Sequence, residues 1–135
     1  KSNWQLLDRA LSIVKALNMR VKMMQPSDHD LHTAYVSHLS HVSSFMLGKT
    51  VLEIEKDEAQ IFDLASTGFA STVRLAKSDA QMWCPIFLEN KDNVLKALNE
   101  YIKNLEAFRT LIETEQSEAL TQSIHEANYI RKILK

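Results

Sequence analysis

Apolar residues recur at helical spacing along most of this chain. Between residues 4 and 17 they fall three and four positions apart, on one face of a helix, at Trp4, Leu7, Leu11, Val14 and Leu17. The same reasoning predicts further helices over 28–52, 58–65, 94–112 and 117–133. The stretch "MRVKMM", residues 19–24, instead alternates apolar and polar positions and predicts a half-buried strand. No partner strand follows, so we expect a sheet upstream of this sequence.

The most regular pattern lies in 94–112. Its apolar positions alternate steps of four and three, as in the a and d positions of a heptad, at Val94, Leu98, Tyr101, Leu105, Phe108 and Ile112. Leu95, Ile102 and Leu111 widen this stripe beyond a two-stranded seam. We therefore expect the helix to be covered on more than one side, in a homodimer with interlocked helices.

Breaks in these patterns are few. The 135 residues include only two glycines and two prolines, too few for the turns of a sheet protein. The sequence thus predicts an all-α fold, a helical bundle domain. Gln25-Pro26 breaks the pattern, and Ser27, with Asp30 three residues later, is predicted to cap the helix that follows; Ser78 has capping-box spacing to Gln81. Pro85 lies inside the next apolar segment and predicts a kink or a short helix.

Charge and composition narrow the function classes. Lys and Arg number 16 against 17 Asp and Glu, a net charge of −1, so we expect no nucleic-acid or membrane partner. The single cysteine, Cys84, excludes an internal disulfide and fits a reducing compartment; with no signal-peptide pattern, we expect a cytoplasmic protein. The glycine-rich and cysteine motifs of common cofactor sites do not occur. Because the sequence starts at Lys1, without a methionine, we expect a piece of a longer protein.

Four of the five histidines lie within thirteen residues: His29, His32, His38 and His41. At about 100° per residue, an α-helix places the first two nearly opposite the last two, so we exclude one metal site for all four. The last two share a strip with Ala34, Phe45 and Gly48. One histidine on such a strip is usually a core residue, but two of them near Ser37 and Ser44 favour a polar pocket wall. Gly48 indicates that another segment packs close to the helix backbone there.

Arg74 is the other conspicuous polar residue. The stretch before it, "STGFAST", is free of charge, and a guanidinium among small side chains suits bidentate capture of a carboxylate. A surface salt bridge is the more common fate of an arginine, and the residues alone leave both open. Trp83 and Phe87, four positions apart, are more often core than binding residues.

Two separate stretches closely resemble the C-terminal helical domain of prephenate dehydrogenases. The first is "SDHDLHTAYVSHLSH", and the second is "GFASTVRLAKSDAQMWCPIFLENKDNVLKAL". The similar positions spread over about 26–112 and include His29-Asp30, Ser37-His38-Leu39 with His41, Gly68-Phe69, Arg74, Met82-Trp83, Ile86-Phe87, Asn90 and Asn93-Val94. Several motifs in the right order are far less probable by chance than any one of them.

The resemblance implies NAD-dependent oxidative decarboxylation of prephenate to 4-hydroxyphenylpyruvate, in tyrosine biosynthesis. Prephenate carries two carboxylates, and Arg74 stands at the family's position for a carboxylate clamp. His38 and His41 match histidines of a "SHLPH" motif that face the substrate cleft, and Trp83 and Gly68 match pocket and dimer-contact positions. The substrate-binding residues implied are thus Arg74, His38, His41, Gly68 and Trp83, with no metal and no catalytic residue in this chain.

The resemblance also implies a division of the protein. Residues 1–25 correspond to the end of a nucleotide-binding Rossmann domain, whose remnant helix and strand they carry, and 26–135 to the helical dimerisation and substrate-binding domain. The NAD, or NADP, is then bound mainly by absent upstream residues, and we expect this chain alone to be inactive. Ser40 in place of the motif's proline, and Ala70-Ser71, depart from the family pattern. The alternatives are an arogenate dehydrogenase, or a non-catalytic ligand-binding or interaction domain on the same scaffold.

Overall fold

A computed structural model describes residues 3–56, 58 and 60–134 of the chain, and these contain helices and no strand. The α-helices are α1 (Trp4–Ala16), α2 (Pro26–Thr33), α3 (Leu39–Glu55), α4 (Thr67–Thr72), α5 (Ala80–Glu89), α6 (Lys91–Glu113) and α7 (Ser117–Ala127). Short 3-10 segments cover Ile61–Leu64, Arg74–Lys77 and Asn128–Lys132. The predicted all-α class is confirmed. No helix in this described part has the length and apolarity to cross a bilayer.

The helix predicted over 28–52 is one continuous rod with an irregular middle. It consists of α2, a π-helical turn at Ala34–His38, and α3. A π-helical turn holds more residues than an α-helical one, so each residue rotates the chain by less than the usual 100°. The histidines on either side of it are therefore displaced from the angles that an ideal α-helix would give them.

Two predicted caps and one predicted strand are wrong. The N-cap of α2 is Gln25, whose side chain makes no capping bond, and Pro26 opens the helix. Asp79 rather than Ser78 caps α5, accepting from the backbone N–H of Gln81 at 2.9 Å. Residues 19–25 form neither helix nor strand, because a strand needs a hydrogen-bonding neighbour and no other described segment supplies one.

The core lies where the α2–α3 rod packs against α5 and the first half of α6. Its buried residues are Ala34, His38, Ser44, Trp83, Val94 and Ala97. Pro85 lies inside the ten-residue α5, which confirms the predicted short helix. Two polar side chains in so small a core need hydrogen-bond partners, and these partners define the site described below.

Much of the apolar surface remains uncovered. The solvent-accessible area is 11687 Å², whereas a folded monomer of 15.5 kDa exposes about 7,200 Å². In the second half of α6, Leu105 is 50% and Ile112 55% exposed, although the heptad pattern marks both as seam positions. No residue of α1 is buried. Apolar residues of both helices contribute to this excess.

Candidate functional site

Two histidines and an indole form the centre of the candidate site. The ring of His41 stacks on Trp83, with centroids 3.4 Å apart and planes 24° from parallel. His38 meets the same indole edge-on at 6.0 Å and the ring of Phe87 at 6.4 Å. The rod supplies the histidines and α5 supplies Trp83 and Phe87. The two segments that the sequence singled out separately are therefore in direct contact.

The hydrogen bond of His41 decides which nitrogen remains for a ligand. Its Nδ1 lies 3.0 Å from the backbone carbonyl oxygen of Ser37, one helical turn earlier. A carbonyl oxygen only accepts, so Nδ1 carries the hydrogen and donates it. In the neutral ring Nε2 is then an acceptor. Stacking on Trp83 and this bond together fix the orientation of the ring.

His38 has the opposite arrangement. Its Nδ1 lies 3.3 Å from the side-chain amide nitrogen of Asn90, which follows α5. Burial lowers the pKa of His38 below its ordinary value of 6.5, and the neighbouring His41 lowers it further. Asp30 acts in the opposite direction but does not outweigh burial. The site therefore favours a neutral imidazole at position 38.

An open cleft of about 490 Å³ lies beside His38. Its lining consists of His29, Asp30, Thr33, His38, Ile86, Glu89 and Asn90. The prediction that His29 faces away from His38 is therefore wrong, since both line this cleft. The cause is the π-helical turn between them, which reduces the rotation that nine α-helical residues would produce.

Metal binding receives no support from the side chains around this cleft. His29 is exposed, as predicted, and its Nδ1 donates to the carboxylate of Asp30 at 3.1 Å. Across the described ranges of the chain, no group of three or more His, Cys, Asp or Glu side chains lies close enough to hold an ion. The cleft instead offers separate hydrogen-bond donors and acceptors, as a small polar ligand requires.

Ser44 connects α3 to the turn that carries Arg74. Its side chain is 2% exposed; the hydroxyl donates to the carbonyl of Thr72 at 3.1 Å and accepts from the N–H of Ala76 at 3.0 Å. One turn further along α3, a Cβ at Gly48 would lie 3.5 Å from the Cβ of Ala76. This confirms the predicted close approach at Gly48. The two hydrogen bonds of Ser44 hold the Arg74 segment against the rod, and Ala76 packs beside Gly48 at ordinary van der Waals distance.

Arg74 and Gly68 do not join the histidine cluster within one chain. Arg74 begins the 3-10 segment Arg74–Lys77, its side chain is exposed, and it forms no ion pair with any residue that the structure describes. Gly68 lies in the short α4, where an added Cβ would meet only Ser66 Oγ, at 3.7 Å. Neither its backbone nor its own chain therefore requires a glycine there.

Sequence reasoning placed Phe45 on the histidine strip but gave no site role to Phe87 or Asn90. Phe45 and Phe87 pack edge-to-face at 6.4 Å beneath the histidines, and Asn90 bonds to His38. Phe87 had been assigned to the core, and Asn90 had no assigned role. The bond joins residues 52 positions apart, and no local pattern encodes such a partner. The buried Trp83 Nε1 has no hydrogen-bond partner among the described residues.

The fold and the cluster together define an all-α domain with an open cleft that His29 and His38 line. Comparison with known proteins is more specific: residues 25–126 match the family described as "Prephenate dehydrogenase, dimerization domain". The chain belongs to this family.

Individual relatives agree with the family assignment. The chain is 30% identical over 120 residues to prephenate dehydrogenase of Bacillus subtilis and 31% over 117 residues to cyclohexadienyl dehydrogenase of Zymomonas mobilis. These matches cover 89% and 86% of the chain but 32% and 40% of the relatives. A crystal structure of prephenate dehydrogenase from A. aeolicus, in complex with hydroxyphenyl propionate and NAD+, superposes with a TM-score of 0.85 at 33% identity. It aligns with all of this chain and 47% of its own.

Proposed function

We propose that this chain is the dimerisation and substrate-binding part of a dehydrogenase that converts prephenate, or arogenate, by oxidative decarboxylation in tyrosine biosynthesis. One observation carries the proposal: His41 stacks on Trp83 beside His38, inside the region that matches the family. The His38 imidazole, which lines the cleft and whose pKa burial lowers, supplies a neutral hydrogen-bonding group for the polar substituents of a small ring. The chain matches only 32% and 40% of the length of these relatives, which supports the view that the chemistry is completed elsewhere in the protein.

The cofactor does not fit the residues of this chain. The only glycines, Gly48 and Gly68, are far apart in sequence, so there is no glycine-rich loop for a pyrophosphate. We propose that NAD, or NADP, is bound mainly by the nucleotide-binding domain that residues 1–25 would complete, and that it accepts the hydride. The exposed apolar face of α1 supports a packing partner of this kind. The isolated chain would then neither bind the dinucleotide nor turn over.

The substrate contacts follow from charge and position. Prephenate carries two carboxylates, and Arg74 offers an unpaired, exposed guanidinium on a turn that Ser44 fixes to the rod. We propose that Arg74 binds one carboxylate and that His38, His41 and Trp83 contact the remainder of the substrate. Gly68 is exposed, with only Ser66 Oγ within 4 Å of an added Cβ, which supports the approach of substrate or of a second chain in the homodimer.

Arg74→Gln in the full-length protein tests this assignment. Loss of one partner of a desolvated charge pair costs about 3–5 kcal/mol, so the KM for prephenate should rise by at least roughly 100-fold. The readout is reduced dinucleotide formed at increasing prephenate concentration. Lys77→Gln, at the other end of the same 3-10 segment, is the matched control and should leave KM near the wild-type value. Equal effects of the two substitutions would contradict the clamp. Separately, normal prephenate kinetics of a folded His41→Ala variant would contradict the substrate contact proposed for His41.

A further inference from the structure

Asn90 connects three elements through its side-chain amide. The amide nitrogen donates to the backbone carbonyl of Asp30 at 2.7 Å and faces Nδ1 of His38 at 3.3 Å. The amide oxygen accepts from the side-chain nitrogen of Asn93 at 2.8 Å. Both hydrogens of the amide nitrogen and one lone pair of its oxygen are therefore engaged.

The orientation of this amide is determined by its surroundings. The Asp30 carbonyl accepts only, so the group that it meets at 2.7 Å must be the nitrogen of Asn90 and not its oxygen. The second hydrogen on that nitrogen then points to the ring of His38. An N–H donor facing Nδ1 requires a lone pair on Nδ1. The remaining ring hydrogen consequently lies on Nε2.

The Nε2 of His38 is free to meet a ligand. Among the described residues it has no hydrogen-bond partner, and Trp83 Nε1 is the one buried side-chain nitrogen or oxygen left unbonded there. His38 lines the open cleft, so the unbonded Nε2 is within reach of a ligand that enters it. A neutral Nε2–H at this point matches an oxygen acceptor, such as a carboxylate, carbonyl or ether oxygen.

We propose that Asn90 is a positioning residue that fixes His38 as the Nε2–H tautomer, so that His38 presents a neutral donor to an oxygen of the bound substrate. His41, held in the opposite tautomer by the Ser37 carbonyl, presents an acceptor. When the ring of His41 is neutral, the two histidines thus supply one donor and one acceptor on the same helical rod, which suits a substrate carrying both a hydroxyl group and carboxylates. The role in substrate binding rests on the proposed function, whereas the tautomer does not.

The tautomer is tested by nitrogen NMR of the full-length protein labelled with 15N-histidine, in which His38→Asn assigns the signal by difference. In a neutral ring the bare nitrogen and the protonated nitrogen resonate far apart. We expect a bare Nδ1 in the wild type and a protonated Nδ1 in Asn90→Asp, whose carboxylate only accepts. Asn93→Ala is the control: it removes a partner of Asn90 but leaves the amide that faces His38, so the wild-type pattern should remain.

Kinetics test the consequence for substrate. At alkaline pH, well above the ordinary pKa of histidine, Asn90→Asp turns a bare Nε2 toward the ligand. Losing one hydrogen bond to a charged oxygen should raise the KM for prephenate by about 10-fold to 100-fold, while Asn93→Ala should change it by less than about 3-fold.

Each outcome decides a different step. A protonated Nδ1 on His38 in the wild type overturns the inference, and this spectrum suffices even if Asn90→Asp does not fold. If the spectra are as expected but the KM for prephenate of Asn90→Asp is unchanged, the proposed role of Asn90 in positioning the substrate contact is overturned. A raised KM in Arg74→Gln would still support the proposed function. If Arg74→Gln also has normal kinetics, the carboxylate clamp fails although the tautomer stands. If the wild-type full-length protein forms no reduced dinucleotide with prephenate, the proposed function fails, again without changing the tautomer.

Discussion

Burial of His38 links a single protonation state to the stability of the fold. The ring is 9% exposed, lies edge-on to Trp83 and Phe87, and accepts from Asn90. A charged imidazole must donate from both nitrogens, which this environment does not permit on the Nδ1 side. The same contacts that orient the ring for a ligand therefore oppose its protonation.

This opposition predicts a pH dependence of stability. Because the folded pKa of His38 lies below 6.5, the unfolded chain binds this proton more tightly, and the free energy of unfolding should fall as the pH drops below about 6.5. His38→Asn keeps an acceptor near the Asn90 amide but cannot titrate, so its loss of stability over this range should be smaller. Urea unfolding at fixed protein concentration, between about pH 8 and pH 5.5, measures the difference. Parallel pH profiles for the two proteins would contradict the argument.

At the scale of elements, the decisive contact joins α3 to the turn of residues 72–77. Ser44 bridges Thr72 and Ala76, and Ala76 rests on the backbone at Gly48. Small residues at these positions permit the close approach, and the buried hydroxyl satisfies backbone groups that would otherwise lack a partner. The position of Arg74 thus depends on a residue thirty positions earlier in the chain.

Ser44→Ala should reduce the free energy of unfolding by about 1–2 kcal/mol, because the carbonyl of Thr72 loses its buried partner. Ala76 keeps a second acceptor, the carbonyl of Val73 at 3.0 Å, which limits the cost. Ser43→Ala is the matched control: that hydroxyl bonds only within its own helix, to Leu39 at 2.8 Å, so the change should be near zero. Denaturant unfolding compares the two, and similar losses in both would exclude the bridging role.

For the whole molecule, exposed area is the informative quantity. One chain exposes about 4,500 Å² more than a compact monomer of its mass, or about 9,000 Å² for two chains, whereas obligate homodimer interfaces bury about 2,000–5,000 Å² or more in total, so the excess is ample for such an interface. The second half of α6 contributes Leu105, Phe108 and Ile112, all at seam positions and all exposed. A second copy wrapped around this helix would bury them, as the heptad pattern requires.

Leu105→Glu tests this arrangement. The wild-type chain should sediment at micromolar concentration with twice the 15.5 kDa mass of one chain, whereas a charge in the apolar seam should shift the protein toward monomer. Asn104→Glu adds the same charge at the neighbouring exposed position of α6 and should remain dimeric. A wild type that sediments as a monomer would contradict the dimer, and equal dissociation of both variants would place the interface elsewhere.

The sequence by itself determined the class of fold and most helix positions. Apolar spacing and the scarcity of glycine and proline reflect local geometry, so they predicted α6, α7 and the long rod closely. Sequence patterns failed to predict features that depend on neighbouring segments or residues. The alternation at 19–24 forms a strand only if another strand pairs with it, and Asp79 rather than Ser78 caps α5. The π-helical turn at Ala34–His38 also left no pattern that the periodicity could reveal.

The chemical state of the site was decided by tertiary structure alone. Sequence placed His38, His41 and Trp83 among the candidates, but their stacking, the tautomers set by Ser37 and Asn90, and the anchoring of the Arg74 turn by Ser44 appear only in the fold. Except for the His41–Ser37 bond, these contacts join residues roughly 30 to 50 positions apart in the chain. Local spacing encodes which face a side chain occupies, whereas the partner across the core depends on how distant helices meet.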